Sequence, residues 1–229
     1  MTDGREQILG SIRKALKRGP LDPAQATALD TRLAAHARNV IPKRAAGLDR
    51  RAQIDLFVKM AEEVQATVVR VASAAEVPKA VADYLSERNL PARLVMTPDP
   101  QLDGVPWQAR PLLEIRRGRA EDGDLNGVTG CFAAIAETGT LMLTSGPEAA
   151  TRNNFLPDNH LVVLRADQVV ATYEDGFDRL RARQAAASGA LPRTVNFVTG
   201  PSRTGDIEQK IELGAHGPRR LHVILIDEG

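Results

Sequence analysis

The stretch "FVTGPSRTGDIE", residues 197–208, sets a hydroxyl, a guanidinium and a candidate helix start directly behind an apolar run. Gly200-Pro201 ends the run. Ser202 and Thr204 can donate or accept hydrogen bonds, and Arg203 can grip a carboxylate or phosphate through two parallel N–H bonds. Asp206, with Gln209 three residues on, can cap a helix whose free N–H groups favour an anion. The group suits a small anionic ligand. A plainer reading has Ser202, Thr204 and Asp206 capping the helix and Arg203 in solvent. The spacing is not that of a P-loop, which needs a Lys-Ser/Thr pair after its second glycine.

Two further segments carry reactive side chains. In "AIAETGTLML", Glu137 stands beside Thr138 and Gly139 between two apolar runs, where a carboxylate can act as a base or nucleophile. It can equally be an ordinary turn residue. In "LGAHGP", His216 lies between glycines that let the backbone bend and present an imidazole; an idle loop histidine fits the pattern as well. His36, His160 and His222 show no metal-ligand spacing with His216, which argues against a zinc site. Cys131 sits in an apolar run, the setting of a buried thiol rather than a catalytic one. Trp107, between Pro106 and Pro111, reads as a packing residue of a loop. "GVTG" at 127–130 lacks a third glycine and precedes a strand, so it is not a dinucleotide fingerprint.

Composition narrows the function classes. The 229 residues carry 30 Lys and Arg against 29 Asp and Glu, a net charge of +1. That balance disfavours nucleic acid and anionic membranes as partners. Aromatics at 3 % leave little for base stacking. No apolar stretch reaches the roughly 20 residues that span a bilayer, so no membrane span is expected. The first residues lack the apolar core of a secretory signal. With a single cysteine, Cys131, the chain cannot form an internal disulfide or supply the about four thiolates of an iron–sulfur cluster. A cytoplasmic setting follows as the expectation, with no cofactor or metal bound by this chain.

These side chains need a frame to hold them. Asp3–Leu16 has Ile8, Leu9, Ile12 and Leu16 at helical spacing, and Lys17–Leu48 reads as a tether with a loose helix around Thr27–Ala37. Asp49–Gln65 predicts a helix with Ile54, Phe57, Val58, Ala61 and Val64 on one face. Strands then alternate with helices: Thr67–Ala72, a helix from Ser73 to Asn89, "ARLVMTP", "PLLEIRRG", and two apolar strands joined at Glu137-Thr138-Gly139. His160–Arg165 is a strand and Asp167–Ala186 a helix. "TVNFVTG" and "RRLHVILID" bracket a short helix over Asp206–Leu213. Alternation of this kind predicts an α/β fold, a mostly parallel Rossmann-like sheet with helices on both faces. Residues 1–47 form an N-terminal helical extension and linker, and residues 48–229 the α/β domain.

Three quoted motifs, "ETGTLML", "TGPSRTGDIE" and "LGAHGPRRLHVILID", resemble those of the lactate utilization protein C family, the LUD-domain family. The opening "REQILGSIRKAL" is similar to that family's first helix. Gly205, where the family is expected to have Ala, and the less apolar "IELGAHGP" are departures from the pattern. The resemblance implies a NagB/RpiA/CoA-transferase-like fold and a role, with two partner proteins, in oxidising L-lactate to pyruvate. One such partner is expected to carry iron–sulfur clusters. It also implies a place for Glu137 like that of the strand-turn glutamate of CoA-transferases. Oxidising a 2-hydroxy acid moves two electrons that no side chain here can accept. The favoured expectation is therefore an accessory or ligand-binding subunit, with Ser202, Arg203, Thr204, Asp206, Thr138 and Gly139 around the ligand. The alternatives are a free-standing enzyme of the CoA-transferase or sugar-phosphate isomerase kind using Glu137, with His216 as a further catalytic candidate, and a structural partner docking through Asp3–Leu16.

Overall fold

The non-alternating apolar runs "LVVL" and "HVILI" become adjacent parallel strands, Leu161 to Leu164 lying beside His222-flanked residues in continuous register. Such runs belong where both faces of a strand are covered. The computed structural model describes residues 4–17, 19–38, 40–147, 149–186, 191–207 and 210–227. It divides into two compact units, residues 1–40 and 41–229. The first unit carries α1 (Gly4–Ala15) and α2 (Pro23–Ala35), and none of the residues in either helix is buried. Asp22 caps α2 by accepting from Ala24 N at 3.2 Å, with Pro23 in the first turn, where its missing N–H costs nothing.

The second unit opens with α3 (Arg50–Glu63), β1 (Thr67–Val71), α4 (Val77–Glu87), β2 (Arg93–Met96) and the single turn α5 (Pro100–Asp103). Next come β3 (Glu114–Arg117), β4 (Asn126–Gly130), β5 (Ala133–Ile135), β6 (Thr140–Thr144) and the turn α6 (Arg152–Phe155). The chain continues through β7 (Asn159–Arg165), β8 (Val169–Val170), α7 (Tyr173–Ala186) and β9 (Val195–Val198). It ends in β10 (Arg203–Ile207), β11 (Lys210–Leu213) and β12 (Arg220–Ile226).

Six strands form a parallel sheet in the order β1-β12-β7-β4-β2-β3. Strand side chains alternate between its faces. On one face Val163, Leu161, Ile224 and Ile226 pack against Val77, Val81, Tyr84 and Leu85 of α4. On the other, Val162, Leu164, Val223 and Leu225 meet Ile54, Phe57 and Ala61 of α3 together with Leu141 and Leu143. Those last two belong to a second sheet, β8-β5-β6-β9, whose far side carries Leu180 of α7 against Ala133 and Met142. The α/β expectation with a parallel sheet flanked by helices holds, and the second sheet is an added layer on the α3 side.

Two expected elements are corrected. Residues 206–207 and 210–213 are strand, not helix: β10 and β11 pair antiparallel, Arg203 opposite Leu213 and Ile207 opposite Lys210. "KIEL" alternates polar and apolar residues with period two, the strand period. The long helix expected from Asp167 begins only at Tyr173. Val169 and Val170, both β-branched, instead extend beside Ala134 and Ile135. Thr172 starts the helix by a reciprocal cap: Asp175 N donates to Thr172 Oγ1 at 3.3 Å and Thr172 N to Asp175 Oδ2 at 3.0 Å.

Candidate functional site

The β5–β6 hairpin turns where the sequence placed its turn, with Gly139 at φ +66°. The turn lies so close to α3 that an added Cβ on Gly139 would stand 2.3 Å from Ala61 N. Glu137 is not a surface residue there; it is 3 % exposed. Its Oε1 accepts from Tyr173 N, the first amide of α7, at 3.2 Å, and its carbonyl accepts from the Arg44 guanidinium at 3.2 Å. Oε2 is buried with no partner among the described residues. Beside it runs a chain of hydroxyls: Thr140 Oγ1 lies 2.7 Å from both Thr138 Oγ1 and Thr199 Oγ1 and 3.0 Å from Tyr173 Oη. A carboxylate on a helix N-terminus is stabilised by the dipole.

Ser202 and His216 are brought together by backbone bonds between two loops. Ser202 N donates to Pro218 O at 2.9 Å, Gly214 N to Ser202 O at 3.0 Å, and His216 N to Ser202 Oγ at 3.2 Å. His216 and Arg203 are exposed, and one Arg203 nitrogen reaches Val64 O at 3.5 Å. Thr204 follows in β10 with its backbone opposite Glu212. The side chain of Asp206 and all of Gln209 lie outside the described residues. The helix start that was to offer free amides at Arg203 is the strand β10 described above.

A different set of residues lines a cleft of about 1210 Å³. Its position follows from topology. After β2 the chain moves outward to β3 at the sheet edge; after β4 it moves the other way, to β7 and then β12. Neighbouring strands whose connections depart in opposite directions leave a crevice beyond their carboxyl ends. Thr97 and Asp99 follow β2 there, Thr129 and Gly130 end β4, and Cys131 follows it. Further lining comes from Thr144 at the end of β6, Ser145 after it, Arg183 on α7, and Arg193 before β9.

The groups in this cleft are held from behind. Asp99 Oδ1 accepts from Gln101 N at 3.0 Å, while Oδ2 lies over Gly130, where an added Cβ would be 2.5 Å away. Gln168, 4 % exposed, donates to Gln101 Oε1 at 2.7 Å and to the Cys131 carbonyl, and accepts from Arg165 N at 2.8 Å. One buried amide thus ties together the segments after β2, β4 and β7. Asn153 does the same for β2 and β3, donating to Thr97 Oγ1 at 2.9 Å and Gly118 O at 2.8 Å and accepting from Ala120 N. Arg183 lies with its guanidinium carbon 4.2 Å from the Phe132 ring centre and donates to Thr144 Oγ1 at 3.2 Å. Partial burial lowers its pKa, yet a guanidinium stays charged at any ordinary pH. Burial pushes the Cys131 thiol up to about 12, so it is a thiol rather than a thiolate, donating to Ala133 O at 3.0 Å.

The structure therefore separates the described sequence candidates from the cleft: none of Glu137, Thr138, Gly139, Ser202, Arg203, Thr204 or His216 is among the described residues that line it. Asp99, Thr129, Gln168, Asn153 and Arg183 were missed. One signal was available, because Asp99 follows the carboxyl end of the predicted strand "ARLVMTP"; Thr129 gave none, since it stood at the start of a predicted strand that the structure instead ends at Gly130. Among the described residues no cluster of three or more His, Cys, Asp or Glu could hold a metal ion, and no helix is long and apolar enough to cross a membrane.

Comparison with known proteins adds a lineage. Residues 54–226 match the LUD domain family. Lactate utilization protein C of Deinococcus radiodurans is 36 % identical over 166 residues, 67 % of this chain and 70 % of that protein. Lactate utilization protein C of Bacillus subtilis (strain 168) is 30 % identical over 111 residues, 48 % of this chain and 45 % of that protein. The match thus spans less than half the length of that second relative. A crystal structure of a DUF162 family protein from Deinococcus radiodurans superposes with a TM-score of 0.57 at 29 % identity, covering 78 % of this chain and 99 % of that one.

Proposed function

The chain belongs to the LUD domain family, and from that premise we propose that it is a ligand-binding subunit of a cytoplasmic system oxidising L-lactate to pyruvate. Relatives named Lactate utilization protein C support the lactate assignment. The observation that carries a binding role is the cleft beyond β2 and β4, in which Arg183 is held over Phe132 at the wall. A guanidinium ordered in advance by an aromatic ring and a hydroxyl loses little entropy on meeting a carboxylate. The redox centre belongs to partner proteins carrying iron–sulfur clusters. Composition supports that division of labour, since one cysteine falls short of the about four thiolates such a cluster takes.

Titration calorimetry with sodium L-lactate tests the reading. Arg183→Ala is expected to weaken binding about 10- to 100-fold, the loss of a charge-assisted hydrogen bond of about 1.5–3 kcal/mol. Arg203→Ala, at the site first singled out in the sequence, belongs in the same series. Loss in Arg203→Ala with Arg183→Ala unchanged would move the ligand to the Ser202–His216 loops. In the cell, deletion of the gene should abolish growth on L-lactate, and the protein should co-purify with a cysteine-rich partner.

A second reading keeps one observation in its favour: Glu137 Oε2 is buried without a partner among the described residues, as a carboxylate kept for chemistry can be. Under it the chain is a free-standing CoA-transferase-like enzyme. Incubation with an acyl-CoA and mass spectrometry would then find a thioester on Glu137, and its absence removes this reading.

A further inference from the structure

One pair at the cleft wall is unused by the reading above. Thr129 on β4 and His160 on β7 face the same side of the parallel sheet, Thr129 pairing with Val162 and His160 with Gly127. Thr129 Oγ1 and His160 Nε2 are 2.8 Å apart. His160 is 1 % exposed, and its other ring nitrogen, Nδ1, meets no hydrogen-bond partner among the described residues. Thr129 lines the cleft; His160 lies behind it.

The pair can be arranged in two ways. Burial lowers the pKa of His160 to about 4, so the ring is neutral near pH 7 and carries one proton. If Thr129 donates to Nε2, that proton sits on Nδ1, and a buried N–H is left with no acceptor, a rare and costly state. If Nε2 carries the proton and donates to Oγ1, Nδ1 exposes only a lone pair and the Thr129 hydrogen is released from the pair.

We infer that His160 donates from Nε2 to Thr129, so that the Thr129 hydroxyl is a fixed hydrogen-bond donor into the cleft, specific for an acceptor oxygen of the ligand. The oxygen it suits is a carboxylate or carbonyl oxygen, present in both a 2-hydroxy acid and its 2-keto product. His160 is a positioning residue in this arrangement: it touches no ligand and acts by setting the direction of the Thr129 bond. The ligand class rests on the proposed function; the direction of the bond does not.

The test uses the full chain labelled with ¹⁵N at histidine. Long-range ¹⁵N–¹H spectra near pH 7 distinguish the tautomers, and Gln substitutions at His36, His216 and His222 assign those rings, leaving the His160 signals. A proton on Nε2 is expected; a proton on Nδ1 overturns the inference. Calorimetry with sodium L-lactate and sodium pyruvate is the second arm. Thr129→Val, which keeps shape and removes the hydroxyl, is expected to weaken both by roughly fivefold or more, whereas Thr129→Ser stays within about twofold. Unchanged affinity in Thr129→Val overturns the donor role. A wild-type chain that binds neither anion refutes the lactate reading instead; the tautomer then decides alone, with Nε2–H retaining the donor and Nδ1–H removing it.

Discussion

Glu137 shows how far the type of a residue falls short of its environment. Read as a turn carboxylate, it is enclosed, with one oxygen on the first amide of α7 and the other unpartnered among the described residues. Glu137→Ala strands the Tyr173 amide and should cost about 1–3 kcal/mol in urea melts. An unchanged midpoint would mean that the carboxyl group does not hold the start of α7. Cys131 gives a second prediction. With the thiol held neutral at about pKa 12 and 2 % exposed, a disulfide reagent at pH 8 should label it only as fast as the native state opens. Rapid labelling of the native protein would contradict that burial.

At the scale of elements, the legible signals were local ones. Asp49 caps α3 through Ala52 N at 2.8 Å, and the Glu137–Gly139 turn stands where its glycine required it. The misread elements failed for an equally local reason. Isoleucines at 207 and 211 have helical spacing, but the structure sets them on different strands, Ile207 at the end of β10 and Ile211 in β11, which pair antiparallel. Gly139 and Gly200 fix where the second sheet meets α3: both have positive φ, and a Cβ on Gly200 would lie 2.3 Å from Val64 O. Gly139→Ala is expected to destabilise by roughly 2–4 kcal/mol, strain and backbone clash together. Gly205→Ala, with nothing within 4 Å, should stay within about 0.5 kcal/mol, which makes it the control in thermal melts.

For the molecule as a whole, two Thr–His pairs brace the two faces of the parallel sheet: His160 with Thr129, and His222 with Thr67 at 2.8 Å, its ring stacked 4.1 Å from Tyr84. Burial lowers both imidazoles from 6.5 to about 4, and Arg88 adds to the shift at His222. Above pH 6.5 both rings are neutral folded or unfolded, so stability is unaffected. Between 6.5 and about 4 the unfolded chain takes up protons that the folded chain refuses, and stability falls as pH falls. Each ring accounts for roughly 3 kcal/mol across that window. Urea melts from pH 7.5 to 4 should show the decline, and His222→Gln should flatten about half of it. A decline of undiminished size in that variant would assign the effect to carboxylates.

Periodicity, caps and turn residues are properties of a few consecutive side chains, and these determined the helix start at Asp49, most of the strands, the α/β class and the resemblance to LUD-domain proteins. The order of strands within a parallel sheet has no such local mark, because every apolar run buried on two faces satisfies the same pattern. Only folding made β2 and β4 neighbours with diverging connections, and only that neighbourhood set Asp99, Thr129 and Arg183, scattered over more than eighty residues, around one cleft. The buried amides of Gln168 and Asn153 were decided in the same way, since their partners exist only once distant loops have met.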